Sequence, residues 1–180
     1  MDKIYIVDAI NYLFRSYYAI GPMLNDNGQS TNALFGFIRS VQKLMKDFSP
    51  HYFVAVFDGP DNKKSRQAIY AEYKMHRKGA PEDLFPQFDW AYEWCAISGI
   101  PTLCIEGIEA DDSMAAIAVW AAKQGADVYL CSSDKDLMQL VDEKIFMIHV
   151  HKDNMLIDAA KVKELFGVRP NQMLDYLAIV

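Results

Sequence analysis

Four short apolar runs, separated by segments of helical periodicity, constrain this chain more than any other feature of its sequence. The runs are 3–7, 52–57, 100–105 and 127–131. Strands that alternate with helices are typical of a mostly parallel sheet with right-handed crossovers. We therefore predict an α/β fold with a mostly parallel central sheet and helices on both faces.

Acidic residues follow each of the four runs. Because parallel strands share polarity, their carboxyl ends meet at one edge of the sheet, where open α/β folds bind ligands. The acids that follow the runs are Asp8, Asp58, Glu106, Glu109, Asp134 and Asp136. Asp111 and Asp112 join them at the start of an amphipathic helical pattern that continues to Ala121. A further helix is predicted from Leu137, just after Asp134 and Asp136. The sequence predicts an acidic site at the C-terminal edge of the strands.

A divalent cation is the ligand that such a group of acids favours. Crowded carboxylates repel one another and raise one another's pKa unless a cation neutralises them. Oxygen ligands without a nearby Cys or His indicate Mg²⁺ or Mn²⁺ rather than zinc. The acids outnumber the protein ligands that one Mg²⁺ ordinarily takes, so we expect two ions about 3.5–4 Å apart, as in phosphoryl transfer. The alternative for Asp111 and Asp112 is that they only stabilise the helix through its dipole.

One segment, 61–81, is dense in basic residues with tyrosines between them. It holds Lys63, Lys64, Arg66, Tyr70, Tyr73, Lys74, His76, Arg77 and Lys78. The formal net charge of −6 argues against a nucleic-acid partner, but each divalent cation would cancel two acids. Lys74 and Arg77 are three residues apart, so in a helix they share a face on which a phosphodiester can be held.

Length and composition bound the rest. A chain of 180 residues, 52% hydrophobic, fits a single domain spanning 1–180. No apolar run is long enough to span a membrane, and the N-terminus lacks a secretory layout. Cys95, Cys104 and Cys131 indicate reduced core thiols in a cytoplasmic protein, and Trp120 is expected in the core. No feature indicates a stable oligomer, so we expect a monomer.

Six motifs run in order through essentially the whole chain. They are Ile6-Val-Asp8, Val56-Phe-Asp-Gly59, Tyr73-Lys74 with Arg77, Pro81-Glu-Asp-Leu84, Gly107-Ile-Glu-Ala-Asp-Asp112 and Ser133-Asp-Lys-Asp-Leu137. Together they resemble the 5′-nuclease (5′-3′ exonuclease) domains of bacterial DNA polymerases I, which belong to the flap endonuclease family and have a PIN-like fold. Around Arg66 the sequence departs from that family, with Ser65, Gln67 and Ala68 where an aromatic residue and a His-Glu pair are usual.

The resemblance also implies the residues of a site. The implied metal ligands, for two Mg²⁺ or Mn²⁺ ions, are Asp8, Asp58, Glu109, Asp111, Asp112, Asp134 and Asp136. Lys74 and Arg77 would be catalytic through contact with the scissile phosphate, and Arg66 and Tyr73 would join them in binding DNA. Tyr73 would stack on a terminal base.

The activity implied is that of a metal-dependent 5′-3′ exonuclease and structure-specific 5′-flap endonuclease. It would hydrolyse DNA phosphodiesters in primer removal and repair, on DNA with a 5′ flap, a nick or a 5′ end, including an RNA primer on DNA. Family members continue with a Gly-Asp-x-x-Asp-Asn segment and a helix–three-turn–helix. We therefore expect a chain truncated before these elements, weakly active or inactive, that is followed by a polymerase domain in a longer protein.

Two other functions stay open. A PIN-class ribonuclease would use a similar acidic site, although that class lacks the basic Tyr-Lys-x-x-Arg segment. A non-catalytic DNA-binding fragment is the second alternative, because further carboxylates of the family lie beyond this sequence. A haloacid-dehalogenase-like phosphatase is disfavoured, since that chemistry needs a second acid where Ile10 stands.

Overall fold

A single six-stranded sheet organises the protein. The structure, a computed structural model, describes residues 2–73, 75 and 79–180. The strands are β1 (Lys3–Asp8), β2 (Tyr52–Phe57), β3 (Thr102–Cys104), β4 (Asp127–Cys131), β5 (Ile145–His149) and β6 (Met155–Ile157). Their order is β3-β2-β1-β4-β5-β6, and every pairing is parallel except that of β5 with β6. The predicted parallel sheet is confirmed.

Helices cover both faces of this sheet. They are α1 (Ala9–Ala19), α2 (Asn32–Phe48), α3 (Lys64–Ile69), α4 (Phe85–Ile97), α5 (Ala110–Lys123), α6 (Ala159–Phe166) and α7 (Met173–Ile179). Short 3₁₀ helices span Glu82–Leu84, Asp136–Leu140, Val150–Lys152 and Pro170–Gln172. None of the helices in the described ranges is both long and apolar enough to cross a membrane.

The side chains of the central strands pack alternately in two separate cores, because successive side chains of a strand point to opposite faces of the sheet. Tyr5 and Val7 of β1 pack in a core with residues of α1, α2 and α4. Ile6, from the same strand, packs on the other face with Met114 and Ala118 of α5. The two cores hold the central strands in place, so the carboxyl ends of β1, β2 and β4 are fixed relative to one another.

Helix α1 was not predicted from the sequence. It begins directly after β1, and its buried residues are Ala9, Tyr12, Leu13 and Ser16. Those positions follow the helical i, i+3, i+4, i+7 template. The outer face of the helix also carries a bulky aromatic residue, Tyr18, which is 71% exposed and obscures the amphipathic pattern.

Three local predictions were wrong. Trp120 lies on the outer face of α5 with 64% of its surface exposed, because Met114, Ala118 and Ala121 supply the buried face of that helix. Cys104 is exposed, since β3 is the edge strand and is shorter than its apolar run. The helix predicted from Leu137 is instead a short 3₁₀ helix.

Candidate metal centre at the carboxyl edge of the sheet

Asp8 lies at the centre of the site, at the end of the central strand β1 and before the first residue of α1. Its Oδ1 accepts a hydrogen bond of 3.0 Å from the amide of Asn11, which caps α1. Its Oδ2 accepts one of 2.9 Å from the hydroxyl of Ser132, just after β4. The carboxylate is therefore attached both to its own helix and to the neighbouring strand.

Burial makes the carboxyl of Asp8 a weaker acid than that of an ordinary aspartate. Only 8% of the residue is exposed, and this desolvation raises the pKa of the carboxyl to about 6. Hydrogen bonds from Asn11 and Ser132 oppose the rise, whereas the charges of Asp58 and Asp134 add to it. Those two charges act on Asp8 because the three acids from β1, β2 and β4 lie together, as predicted.

Asp58 connects this first group of acids to helix α5. Its Oδ1 accepts a hydrogen bond of 2.8 Å from the amide of Ala110, the first residue of that helix. The amide of Gly59 donates to the carbonyl of Ile108 at 3.1 Å, and the amide of Gly107 donates to the carbonyl of Pro60 at 2.8 Å. These bonds hold the loop after β2 against the loop after β3.

Gly59 is required by this contact between loops. A Cβ atom at position 59 would overlap the backbone carbonyl of Ile105. A backbone group cannot turn aside as a flexible side chain can, so any other residue at this position would push the two loops apart.

A second group of acids surrounds the start of α5. Glu109, Asp111 and Asp112 each offer a carboxylate oxygen, and these oxygens lie within 4.8 Å of one another. Glu109 is buried, with 3% exposed, whereas Asp112 is exposed. Burial raises the pKa of Asp111, and the nearby charges of Glu109 and Asp112 raise it further. A bound divalent cation would reduce the repulsion among these three carboxylates.

The oxygens of this second group fit a small, hard cation. Octahedral Mg²⁺ holds oxygen ligands at about 2.0–2.1 Å, which places those oxygens about 3–4 Å apart. The observed group, within 4.8 Å, needs only a small inward movement to reach that geometry. Carboxylate oxygens are also the donors that Mg²⁺ and Mn²⁺ prefer.

Arg66 supplies positive charge to the second group. Its Nη2 atom lies 2.7 Å from both carboxylate oxygens of Asp112, and its Nη1 atom lies 3.3 Å from Glu109 Oε2. These contacts raise the pKa of the guanidinium, and the hydrogen bond to Asp112 is the largest cause. The structure thus shows Arg66 as a counterion of the acids, a role that the sequence did not reveal.

Tyr73 lies in the same network. Its hydroxyl accepts a hydrogen bond of 2.9 Å from Arg66 Nη1 and donates one of 2.9 Å to Glu109 Oε2. The Arg66 guanidinium also lies 5.4 Å from the centroid of the Tyr73 ring. The polar end of Tyr73 therefore points to the acids, and stacking of its ring on a base stays a prediction.

The remaining predicted acids of the site lie in the segments after β3 and β4. The amide of Asp136 donates to Asp134 Oδ1 at 3.0 Å, so these two acids share one turn after β4. Glu106 lies exposed in the loop after β3. Lys74 and Arg77 fall outside the described residues, and their predicted contact with a phosphate stays a prediction.

Sequence reasoning missed the polar residues that support the acids. Ser133 donates from its hydroxyl to Asn11 Oδ1 at 2.8 Å, and Arg15 Nη1 donates to the same hydroxyl at 3.4 Å. Asn11 and Arg15 are one helical turn apart on α1, the helix that was not predicted. The sequence shows that Ser132 is close to Asp134, but it does not predict the hydrogen bond to Asp8, which lies 124 positions away.

Comparisons with known proteins match these features. Residues 3–167 match the family model of the 5′-3′ exonuclease, N-terminal resolvase-like domain. The chain is similar to a 5′-3′ exonuclease of Aquifex aeolicus, with 39% identity over all of this chain and 62% of the relative. It is also similar to DNA polymerase I of Borreliella burgdorferi, with 36% identity over all of this chain and 20% of the relative. The chain thus spans less than two thirds of either relative.

Solved structures share the fold. A bacteriophage T5 flap endonuclease complexed with DNA and metal ions matches with a TM-score of 0.73 and 21% identity, over 96% of this chain and 64% of that chain. The catalytic core of Rad2 in complex with DNA matches with a TM-score of 0.57 and 23% identity, over 96% and 52% of the two chains. Because the family model covers most of the sequence, the chain belongs to the 5′-3′ exonuclease family, in its N-terminal resolvase-like domain.

Proposed function

We propose that this chain is the nuclease domain, residues 1–180, of a metal-dependent 5′-3′ exonuclease and 5′-flap endonuclease that hydrolyses DNA phosphodiesters. The observation that carries the proposal is the assembly of acids from β1, β2, β4 and the start of α5 at one edge of the sheet. The relatives named 5′-3′ exonuclease and DNA polymerase I support it. The T5 flap endonuclease, which has the same fold, was crystallised with DNA and metal ions.

Two groups of acids support two cation sites. The proposed ligands are Asp8, Asp58, Asp134 and Asp136 in the first group and Glu109, Asp111 and Asp112 in the second. The bond from Ala110 to Asp58 Oδ1 joins the two groups. Bound Mg²⁺ or Mn²⁺ would supply Lewis-acid chemistry, which activates water as a nucleophile and neutralises developing charge on the phosphate.

The basic segment 61–81 would hold the DNA. It follows the carboxyl end of β2, so it starts at the acidic edge of the sheet. Within it, Lys74 and Arg77 would bind the scissile phosphate. Arg66 would join them when a cation takes over its role beside Asp112, and Tyr73 would stack on the terminal base.

The whole protein would act on DNA with a 5′ flap, a nick or a 5′ end, including an RNA primer on DNA. DNA polymerase I relatives, of which this chain spans about a fifth, support a polymerase domain elsewhere in the same protein. With this function the protein would act in the bacterial cytoplasm.

The direct test is cleavage of a 5′-labelled flap duplex by the 180-residue chain in Mg²⁺ and in Mn²⁺. We expect Asp112→Asn to reduce cleavage by at least about 100-fold, because electrostatic groups of an active site contribute effects of this size. The matched control is Asp2→Asn, an exposed acid at the opposite end of β1, about 20 Å from Asp8.

Three outcomes would change the proposal. If Asp112→Asn cleaves as well as the wild type does, the acids are not the active site. If a single-stranded RNA is cleaved in preference to the flap, the protein is a PIN-class ribonuclease. If the wild type binds Mn²⁺ and DNA but cleaves neither nucleic acid, the chain is a non-catalytic DNA-binding fragment.

Lys74→Ala separates phosphate binding from metal binding. We expect it to lower cleavage at least about tenfold, since charge-assisted hydrogen bonds to phosphate are strong, while the affinity for Mn²⁺ stays within twofold of the wild type. Single-turnover cleavage and calorimetric titration of Mn²⁺ measure the two quantities, and Lys123→Ala on α5 is the matched lysine control. Equal losses in cleavage and metal affinity would assign Lys74 a structural role instead.

A further inference from the structure

We infer that Ser132 is a positioning residue that joins two acids of the site, Asp8 and Asp134, and holds both in the orientation that binds the cation. The inference deepens the proposed function and rests on it only in taking these acids as cation ligands. Ser132 acts as a support in this arrangement, because its hydroxyl donates to one acid and accepts from the backbone of the other.

Strand pairing brings Ser132 to Asp8. Strands β1 and β4 pair in parallel, with Val7 opposite Cys131 at the end of the ladder. The next residue along the chain is Asp8, the last residue of β1, on one side and Ser132, just after β4, on the other. A hydroxyl is a suitable link between them, because one oxygen both donates and accepts a hydrogen bond.

The hydroxyl of Ser132 has a partner in each direction. It donates to Asp8 Oδ2 at 2.9 Å and accepts from the amide of Asp134 at 3.1 Å. The residue is 1% exposed. Because bulk water has so little access to this position, solvent does not readily replace either bond when the hydroxyl is removed. One buried oxygen therefore sets the relation between the acid of β1 and the acid that follows β4.

These bonds determine which way the Asp8 carboxylate faces. A carboxylate offers about four lone-pair positions. One on Oδ1 is used by the amide of Asn11 and one on Oδ2 by Ser132. With both oxygens held, rotation of the carboxylate is blocked, and one lone-pair position on each oxygen stays available for a cation. This is the arrangement in which a supporting hydrogen bond orients a metal ligand.

Removal of the hydroxyl is expected to weaken cation binding. In Ser132→Ala the carboxylate of Asp8 loses its bond on Oδ2, and the amide of Asp134 loses its acceptor. Loss of a supporting partner of a metal ligand typically costs about 10- to 100-fold in metal affinity. We expect the Kd for Mn²⁺ to rise by about this factor, and the Mg²⁺ concentration for half-maximal cleavage to rise with it.

The test is calorimetric titration of Mn²⁺ into the metal-free 180-residue chain, without DNA. Ser132→Thr retains the hydroxyl and should bind Mn²⁺ within about threefold of the wild type. Ser132→Val has nearly the shape of Thr without the hydroxyl, so it should bind as weakly as Ser132→Ala. Ser16→Ala, a change at another buried serine on α1, is the matched control. The Thr and Val variants keep the test decisive if Ser132→Ala fails to fold.

The outcomes separate this inference from the proposed function. Binding of Mn²⁺ by Ser132→Ala and Ser132→Val with wild-type affinity would overturn the role of Ser132, whether or not the wild type cleaves DNA. Weak binding by both, with rescue by Ser132→Thr, supports that role even if the wild type proves to cleave no nucleic acid. If the wild type binds no Mn²⁺ at all, the inference fails together with the cation site.

Discussion

Replacement of Asp8 with Asn is expected to stabilise the metal-free protein at neutral pH while it abolishes cleavage. Asp8 is buried, and its pKa in the folded protein is about 6, against an ordinary value of 3.8. At neutral pH the folded chain must therefore hold a buried charge that the unfolded chain exposes to water. A shift of this size corresponds to about 3 kcal/mol. A neutral amide would recover part of it, because its NH2 group cannot accept the hydrogen bond that Ser132 donates to Oδ2.

The pH dependence of this stability difference follows from the folded and unfolded pKa values of Asp8. Because the folded pKa is above the unfolded one, the folded state binds the proton more tightly. The stability that protonated Asp8 contributes is fully present below about pH 4 and is lost as the pH rises through about 6. The advantage of Asp8→Asn should therefore be largest above pH 6 and should disappear below pH 4. Asn also accepts the capping bond of α1, so the helix start is retained.

Urea unfolding between pH 4 and pH 8, in EDTA and in Mg²⁺, measures this effect. In Mg²⁺ at 1,000 times the Kd the order should reverse, because ligand binding then adds about 4.1 kcal/mol to the folded wild type. Asp2→Asn, the change at the opposite end of β1, should show neither effect. A variant Asp8→Asn that is less stable than the wild type at pH 8 in EDTA would contradict the account of Asp8 as a strained acid.

Replacement of Gly59 with Ala is expected to destabilise the fold and to weaken metal binding together. The new Cβ atom would overlap the carbonyl of Ile105, so the loops after β2 and β3 must separate. Overpacking against rigid neighbours costs about 1–3 kcal/mol, and we expect the upper end of that range because the neighbour is backbone. The same movement would stretch the bond from the amide of Ala110 to Asp58.

The midpoint of urea unfolding and the Kd for Mn²⁺ are the quantities to measure for Gly59→Ala. Gly21→Ala is the matched control, since a Cβ atom at position 21 meets nothing within 4 Å. Loss of stability with unchanged Mn²⁺ affinity would show that the loop contact supports the fold without setting the positions of the acids.

The sheet and the place of the acids could be predicted from the sequence because both depend on local patterns. Apolar runs locate β1, β2 and β4, and parallel strands place their carboxyl ends at one edge whatever the details of the side chains. Asp8, Asp58 and Asp134 were predicted to meet, and the electrostatic coupling of Asp8 to the other two confirms it.

The hydrogen-bond and ion-pair partners of the acids could not be predicted in the same way, because these partners are far apart in the sequence and meet only in the folded chain. Ser132 is two residues from Asp134, but its bond to Asp8 crosses from β4 to β1. Arg66 was predicted to bind DNA, whereas in the structure it pairs with Asp112, 46 positions later. The basic segment has no periodic pattern that fixes the direction of its side chains, so only the folded chain reveals which charges pair.

The strand order has a consequence for the synthesis of the protein on the ribosome. Strand β1 is central, and one of its neighbours, β4, ends at Cys131. A nascent chain that has not yet extended beyond Cys131 can pair β1 with β2, but the other edge of β1 has no partner in the sheet. Asp134 then has no place beside Asp8. Such a chain already carries the basic segment, yet the acids of β1 and β4 come together only after most of the domain has left the ribosome, so under the proposed function the cleavage site would form only late in synthesis.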